Sequence, residues 1–161
     1  MIRKLAALSC SPIVALTMAA RALAYPAIDV PNLAPSLDPT AAPAWQSATN
    51  VKLTWDTTHG RVTTEPSSAW ISTDGKALYV RFDVTQHEAV AAAQQTNDVG
   101  QGSDDAVWVD LWPGGTSGYF YQFQATPNGT HYESSSENTS FSPTWESHGS
   151  MHQGGYTVTM R

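Results

Sequence analysis

The chain has 161 residues, enough for one domain with a core of its own. Eight Lys and Arg stand against fourteen Asp and Glu, a formal net charge of −6. That balance argues against partners held through clustered cations, such as nucleic acid or an anionic membrane surface. Only 14% of residues are charged, yet there are six Trp, six Tyr and four Phe. Such a composition suits a β-protein that meets a neutral polar ligand, not a solvated helical bundle.

The chain opens on a basic Met1-Ile2-Arg3-Lys4, an apolar stretch over residues 5–20 and a small-x-small site, Ala22-Leu23-Ala24. This order predicts an export signal over residues 1–24, cut after Ala24, and a secreted or periplasmic product. Arg3, Lys4 and Arg21 leave with it and no acid does, so five cations remain against fourteen acids, −9. The single cysteine, Cys10, leaves as well, and with it any disulfide, thiolate nucleophile or Cys-based zinc site. No later apolar run approaches the ~20 residues that span a bilayer.

Residues 25–44 hold five prolines, which forbid a helix or a central strand and predict a tether or a strand-edge arm. From Trp45 onward the pattern is period-2 alternation broken by turns. Strands are expected over residues 51–55, 68–73 and 77–84, the last following the hairpin signal Asp74-Gly75. In it Leu78, Val80, Phe82 and Val84 share one face, and Tyr79, Arg81 and Asp83 the other. The Ala-rich stretch 88–95 is the one helix candidate, short enough to give a turn or two inside a loop. Residues 105–112 form the clearest strand, with Val107, Val109 and Leu111 opposite Trp108, Asp110 and Trp112. Residues 118–126 follow, with Tyr119, Tyr121, Phe123 and Ala125 opposite Phe120, Gln122 and Gln124. Asn128-Gly129 marks another hairpin, leading into residues 130–133. Residues 134–154, rich in Ser, Gly and His, read as loop. Residues 155–161 alternate and stop in mid-pattern, which predicts either further strands beyond Arg161 or an edge position. Short strands with turns at intervals of ~8–12 residues and almost no helix predict an all-β antiparallel sandwich over residues 45–161.

Five segments in order carry a family resemblance: Ala42-Pro43-Ala44-Trp45; residues 74–84; Ser103-Asp104-Asp105 leading into residues 106–111; Gly118-Tyr119-Phe120 leading into residues 121–124 with Asn128-Gly129; and Gly155-Tyr156-Thr157-Val158. This order resembles the family-9 carbohydrate-binding modules and their DOMON-like relatives. The resemblance implies a jelly-roll-like sandwich and a non-catalytic exported module, often joined to glycoside hydrolases and often holding structural calcium. In sugar-binding members two tryptophans clamp a sugar. Here the first clamp position aligns with Gly102, a sugar-binding Glu aligns with Trp108, a sugar-binding Arg aligns with Gln124, and the second clamp position falls beyond Arg161. The fold therefore carries over better than the sugar site does.

Trp108, Asp110 and Trp112, with Gln122 and Gln124 on the next strand, have the chemistry of a neutral-glycan site. Flat aromatic faces take the C–H side of a sugar ring, and amides and carboxylates take its paired hydroxyls. Trp145, set in a polar stretch, is a further ligand platform in this reading. The opposing reading puts the tryptophans in the sandwich core. Trp45, Trp55 and Trp70 are expected to be packing residues. Asp83, Asp98 and Asp104 supply the oxygen ligands calcium prefers if the 86–103 loop folds back, against solvated or turn-capping roles. Met151-His152 seeds a second functional reading, a haem-binding DOMON-like electron-transfer module; a protein-docking structural sandwich is the third. No nucleophile elbow, phosphate loop or His-Glu-x-x-His occurs, and an enzyme is not expected.

Overall fold

The computed structural model describes residues 27–56, 59–100, 102–113 and 118–161. The expected export signal lies outside them. Among the described residues eight strands form two antiparallel sheets: β1 (Thr49–Asp56), β2 (Arg61–Thr73), β3 (Leu78–Thr85), β4 (Val107–Leu111), β5 (Tyr121–Ala125), β6 (His131–Ser135), β7 (Ser147–His152) and β8 (Gly155–Met160). The order is β1-β2-β3-β8-β7 in one sheet and β4-β5-β6 in the other. The all-β sandwich expected from the alternation is what forms.

The core lies where the two inner faces meet. Ala69, Val80, Phe82, Tyr156, Val158 and Met160 come from the larger sheet, and Val107 and Ala125 from the smaller. Period-2 alternation produces this directly, since Val80 and Phe82 point inward while Tyr79 and Arg81 point outward. Both sets are buried, however. The proline-rich lead-in covers the outer face of the larger sheet. Its first part is an edge arm, with Leu33 N–H donating to Thr73 O at 2.7 Å and Thr73 N–H to Pro31 O at 3.0 Å. Farther on it crosses the sheet, where Arg81 Nη1 donates to Pro39 O at 2.6 Å and the Thr159 hydroxyl donates to Leu37 O. A 3-10 turn over Ala42–Trp45 then seats Trp45, which is 1% exposed, with its Nε1–H donating to Ser36 O at 3.0 Å.

Four expectations are corrected. Residues 88–95 form no helix. Their backbone is captured from outside: the Asp105 carboxylate accepts from Ala91 N–H at 2.7 Å, Asp104 from Gln94 N–H at 2.6 Å, and the Asn128 amide donates to Ala92 O at 2.6 Å. A stretch this short cannot outcompete such partners with its own turns. Residues 134–154 are not all loop, because β7 lies among them, paired with β8 from Ser147↔Met160 to His152↔Gly155. The last strand is no edge; β8 sits between β3 and β7. Trp55 is no packing residue, being 61% exposed on the β1–β2 hairpin opposite Val62. Among the described residues no helix is long and apolar enough to cross a membrane.

Candidate functional site

Strand β4 is an edge of the smaller sheet, and its alternation sets the site. Val107 is buried and Val109 packs against the core, so Trp108 and Asp110 must point the other way. Trp108 is 42% exposed, and Trp112, just past the strand, is 46% exposed. The register pairs Trp108 with Gln124 and Asp110 with Gln122 on β5, and Gln122 and Gln124 with Ser134 and Tyr132 on β6. The outer face of this sheet is thus a row of indoles beside amides, a carboxylate and hydroxyls. Gln122 Nε2–H donates to Asp110 Oδ1 at 3.0 Å. This bond fixes the amide and leaves the carboxylate's other oxygen and the amide carbonyl as further acceptors. Trp112 leans on Phe120, ring centroids 5.8 Å apart and planes tilted by 38°. That contact packs the indole against the neighbouring ring.

The other expected members sit elsewhere. Gln124 lies on the same face but is only 5% exposed, so it is a buried partner and not a presented one. Trp145 is on the opposite side of the sheet. Its Nε1–H donates to Glu133 Oε2 at 2.8 Å, its ring meets Phe123 edge-on at 5.3 Å, and His131 lies 4.4 Å from it. Glu133 is buried and needs a donor, and the Trp145 indole supplies one. The indole is therefore held at the inner face and cannot join Trp108 and Trp112 on the outer one.

The three acids proposed as metal ligands do not converge. No group of three His, Cys, Asp or Glu among the described residues could hold a metal ion. Asp83 faces outward from β3, with Arg81 Nη2 at 3.9 Å and His152 Nε2 at 3.4 Å. Asp104 is buried and anchors Gln94, and Asp98 is exposed, with φ of 64° and its N–H donating to His131 O at 2.8 Å. Each carboxylate or backbone there already answers a local need. Met151 and His152 are neighbours on one strand and so project to opposite faces, which keeps them from binding one iron together.

One contact was invisible in the sequence spacing. His131 Nδ1 lies 3.0 Å from Ser147 Oγ, the pairing a nucleophilic serine needs. The Ser147 hydroxyl, however, donates to Gly129 O at 2.7 Å. Its proton is thus committed to a carbonyl, and the imidazole N–H donates to the oxygen. The trio ties β6 to β7. Nothing local in the sequence signals it, because residues 131 and 147 meet only across the sandwich.

A concavity, also unannounced by the sequence, opens between the sheets. It has a volume of about 750 Å³ and is walled by Leu78, Val80, Val109, Leu111, Phe123 and Met160. No family model, no curated protein and no solved structure matches this chain.

Proposed function

We propose that the protein is an exported, non-catalytic module that binds a neutral glycan on the outer face of the β4-β5-β6 sheet. Trp108 and Trp112 supply the stacking surface, and the Asp110–Gln122 pair the hydroxyl contacts. The observation that carries the reading is the exposure of both indoles on one face, beside a fixed carboxylate–amide pair. Large apolar rings cost free energy in water unless a ligand covers them, and an indole face covered by the C–H side of a sugar ring contributes about 1–3 kcal/mol. Four residues of strand rise separate the two indoles by about 13 Å. That is more than one sugar ring spans, so a chain of rings, not a monosaccharide, engages both. The absence of charge clustering on the face fits a neutral ligand. The strands place one carboxylate there, Asp110, whereas glycoside hydrolysis as a rule needs two flanking the bond. A role beside a glycoside hydrolase is consistent with this reading.

The test is tryptophan emission of the intact protein titrated with soluble cello-, xylo- and manno-oligosaccharides and mixed-linkage β-glucan. Saturable quenching or a blue shift is expected with at least one of them, lost in Trp108→Ala and weakened at least tenfold in Trp112→Ala. A flat response to the whole panel would reject the proposal. Protein docking is the second reading. It draws on Leu53, Trp55 and Val62, exposed together on the β1–β2 hairpin, and predicts mass that rises with concentration in light scattering and falls in Trp55→Ser.

A further inference from the structure

The cavity between the sheets lies on the other side of β4 from Trp108, since Val109 and Leu111 line it and alternate with the outward residues. Its volume of about 750 Å³ falls within the range of small-molecule sites. The walls from both sheets are aliphatic or aromatic, and Trp145 stands among them. The interior therefore suits an apolar tail such as an alkyl chain.

The mouth selects its head. Asp74, Lys76, Glu146 and Arg161 line it. Three of these are already committed. The Asp74 carboxylate accepts from Lys76 N–H at 2.9 Å, Ala77 N–H at 2.8 Å and the Tyr79 hydroxyl at 2.9 Å. Arg161 Nη2 lies 2.7 Å from Glu146 Oε1, and the two residues also exchange backbone hydrogen bonds of 3.1 and 2.9 Å. The Lys76 ammonium has no hydrogen bond or ion pair among the described residues. Asp74 keeps its charge, but neutral donors occupy both of its oxygens, so the charged group at the mouth left to meet a ligand is the Lys76 cation, and its complement is an anion on an alkyl tail.

We propose that this cavity binds single-chain aliphatic carboxylates, the tail lying between the sheets and the carboxylate meeting Lys76 Nζ. The site is independent of the glycan face, so either can fail without the other.

The experiment is displacement of 11-(dansylamino)undecanoate from the intact protein, read by dansyl emission. Saturable, one-site enhancement of the probe is expected. Dodecanoate should displace it at least tenfold more effectively than dodecanol or dodecyltrimethylammonium. Lys76→Glu should weaken dodecanoate at least tenfold and leave dodecanol within twofold, while Trp108→Ala changes neither. Leu78→Trp should block both ligands by filling the chamber, with near-ultraviolet circular dichroism reporting that the variant is folded. Should Leu78→Trp lose that signal, Leu111→Trp at the half-open rim serves in its place. Absence of saturable probe binding, equal displacement by dodecanol, or indifference to Lys76→Glu would each overturn the proposal.

Discussion

Removing the Trp45 indole would empty the site where the lead-in turns into β1, because the ring is buried on all sides and its N–H is bonded to Ser36 O. A large-to-small change of this kind costs about 3–5 kcal/mol. Trp45→Ala should therefore lower the urea midpoint sharply at an unchanged slope in equilibrium denaturation. Asp74 gives the pH-dependent counterpart. Backbone N–H donors from Ala77 and Lys76, with the Tyr79 hydroxyl, hold its carboxyl down to about 2. A folded-state value below the unfolded one means that the stability it contributes is fully present above about pH 4 and is lost as pH falls toward 2. Asp74→Asn should thus flatten that part of the acid limb, checked by thermal melts across pH 2–5. Residue by residue, alternation placed Val107, Trp108, Val109 and Asp110 on their observed sides. It could not say that Trp55 would sit on a projecting hairpin, that Gln124 would be buried, or that Trp145 would turn inward to satisfy Glu133. Those outcomes depend on neighbours distant in the sequence.

At the scale of elements, strands with strong period-2 alternation were legible and those without it were not. The β3 residues alternate apolar and polar and form a strand as read. The β7 residues, Ser147-His-Gly-Ser-Met-His152, show no such pattern, and the backbone ladder to β8 makes them a strand. Gly149 is the position that lets β7 approach the β5–β6 turn: a Cβ built there would stand 2.1 Å from Pro127 O and 2.7 Å from Gly129 N, both backbone atoms with little room to yield. Gly149→Ala should cost about 1–3 kcal/mol as an overpacked contact, seen as a lowered melting temperature and faster amide exchange in β7. The lead-in is a further case. Its prolines rule out helix and central strand, but only the sheet it lies on explains its path. Arg81 anchors it, with Trp70 beneath the guanidinium at 5.8 Å and burial lowering its pKa from the usual arginine value.

For the whole molecule, the functional proposals rest on unequal sheets, five strands against three. The smaller sheet leaves the β4 side of its outer face to solvent and, at one end, an opening against the larger. If the outer face takes a neutral glycan, there is no ligand charge for salt to screen. Oligosaccharide affinity should then change less than twofold between 0.05 and 0.5 M NaCl, measured by calorimetry; a steep salt dependence would point to a charged ligand.

The sequence by itself determined the all-β class, the inward and outward sets along β3, β4 and β5, and the hairpin at Asp74-Gly75. These follow from period-2 geometry and turn chemistry, which act over a few residues. Tertiary structure alone decided the strand order, the seating of the lead-in over Arg81 and Thr159, the inward turn of Trp145 and the chamber between the sheets. Each of these arises where segments far apart in the chain bury one another's surface or satisfy one another's hydrogen bonds, and no local pattern records such pairings.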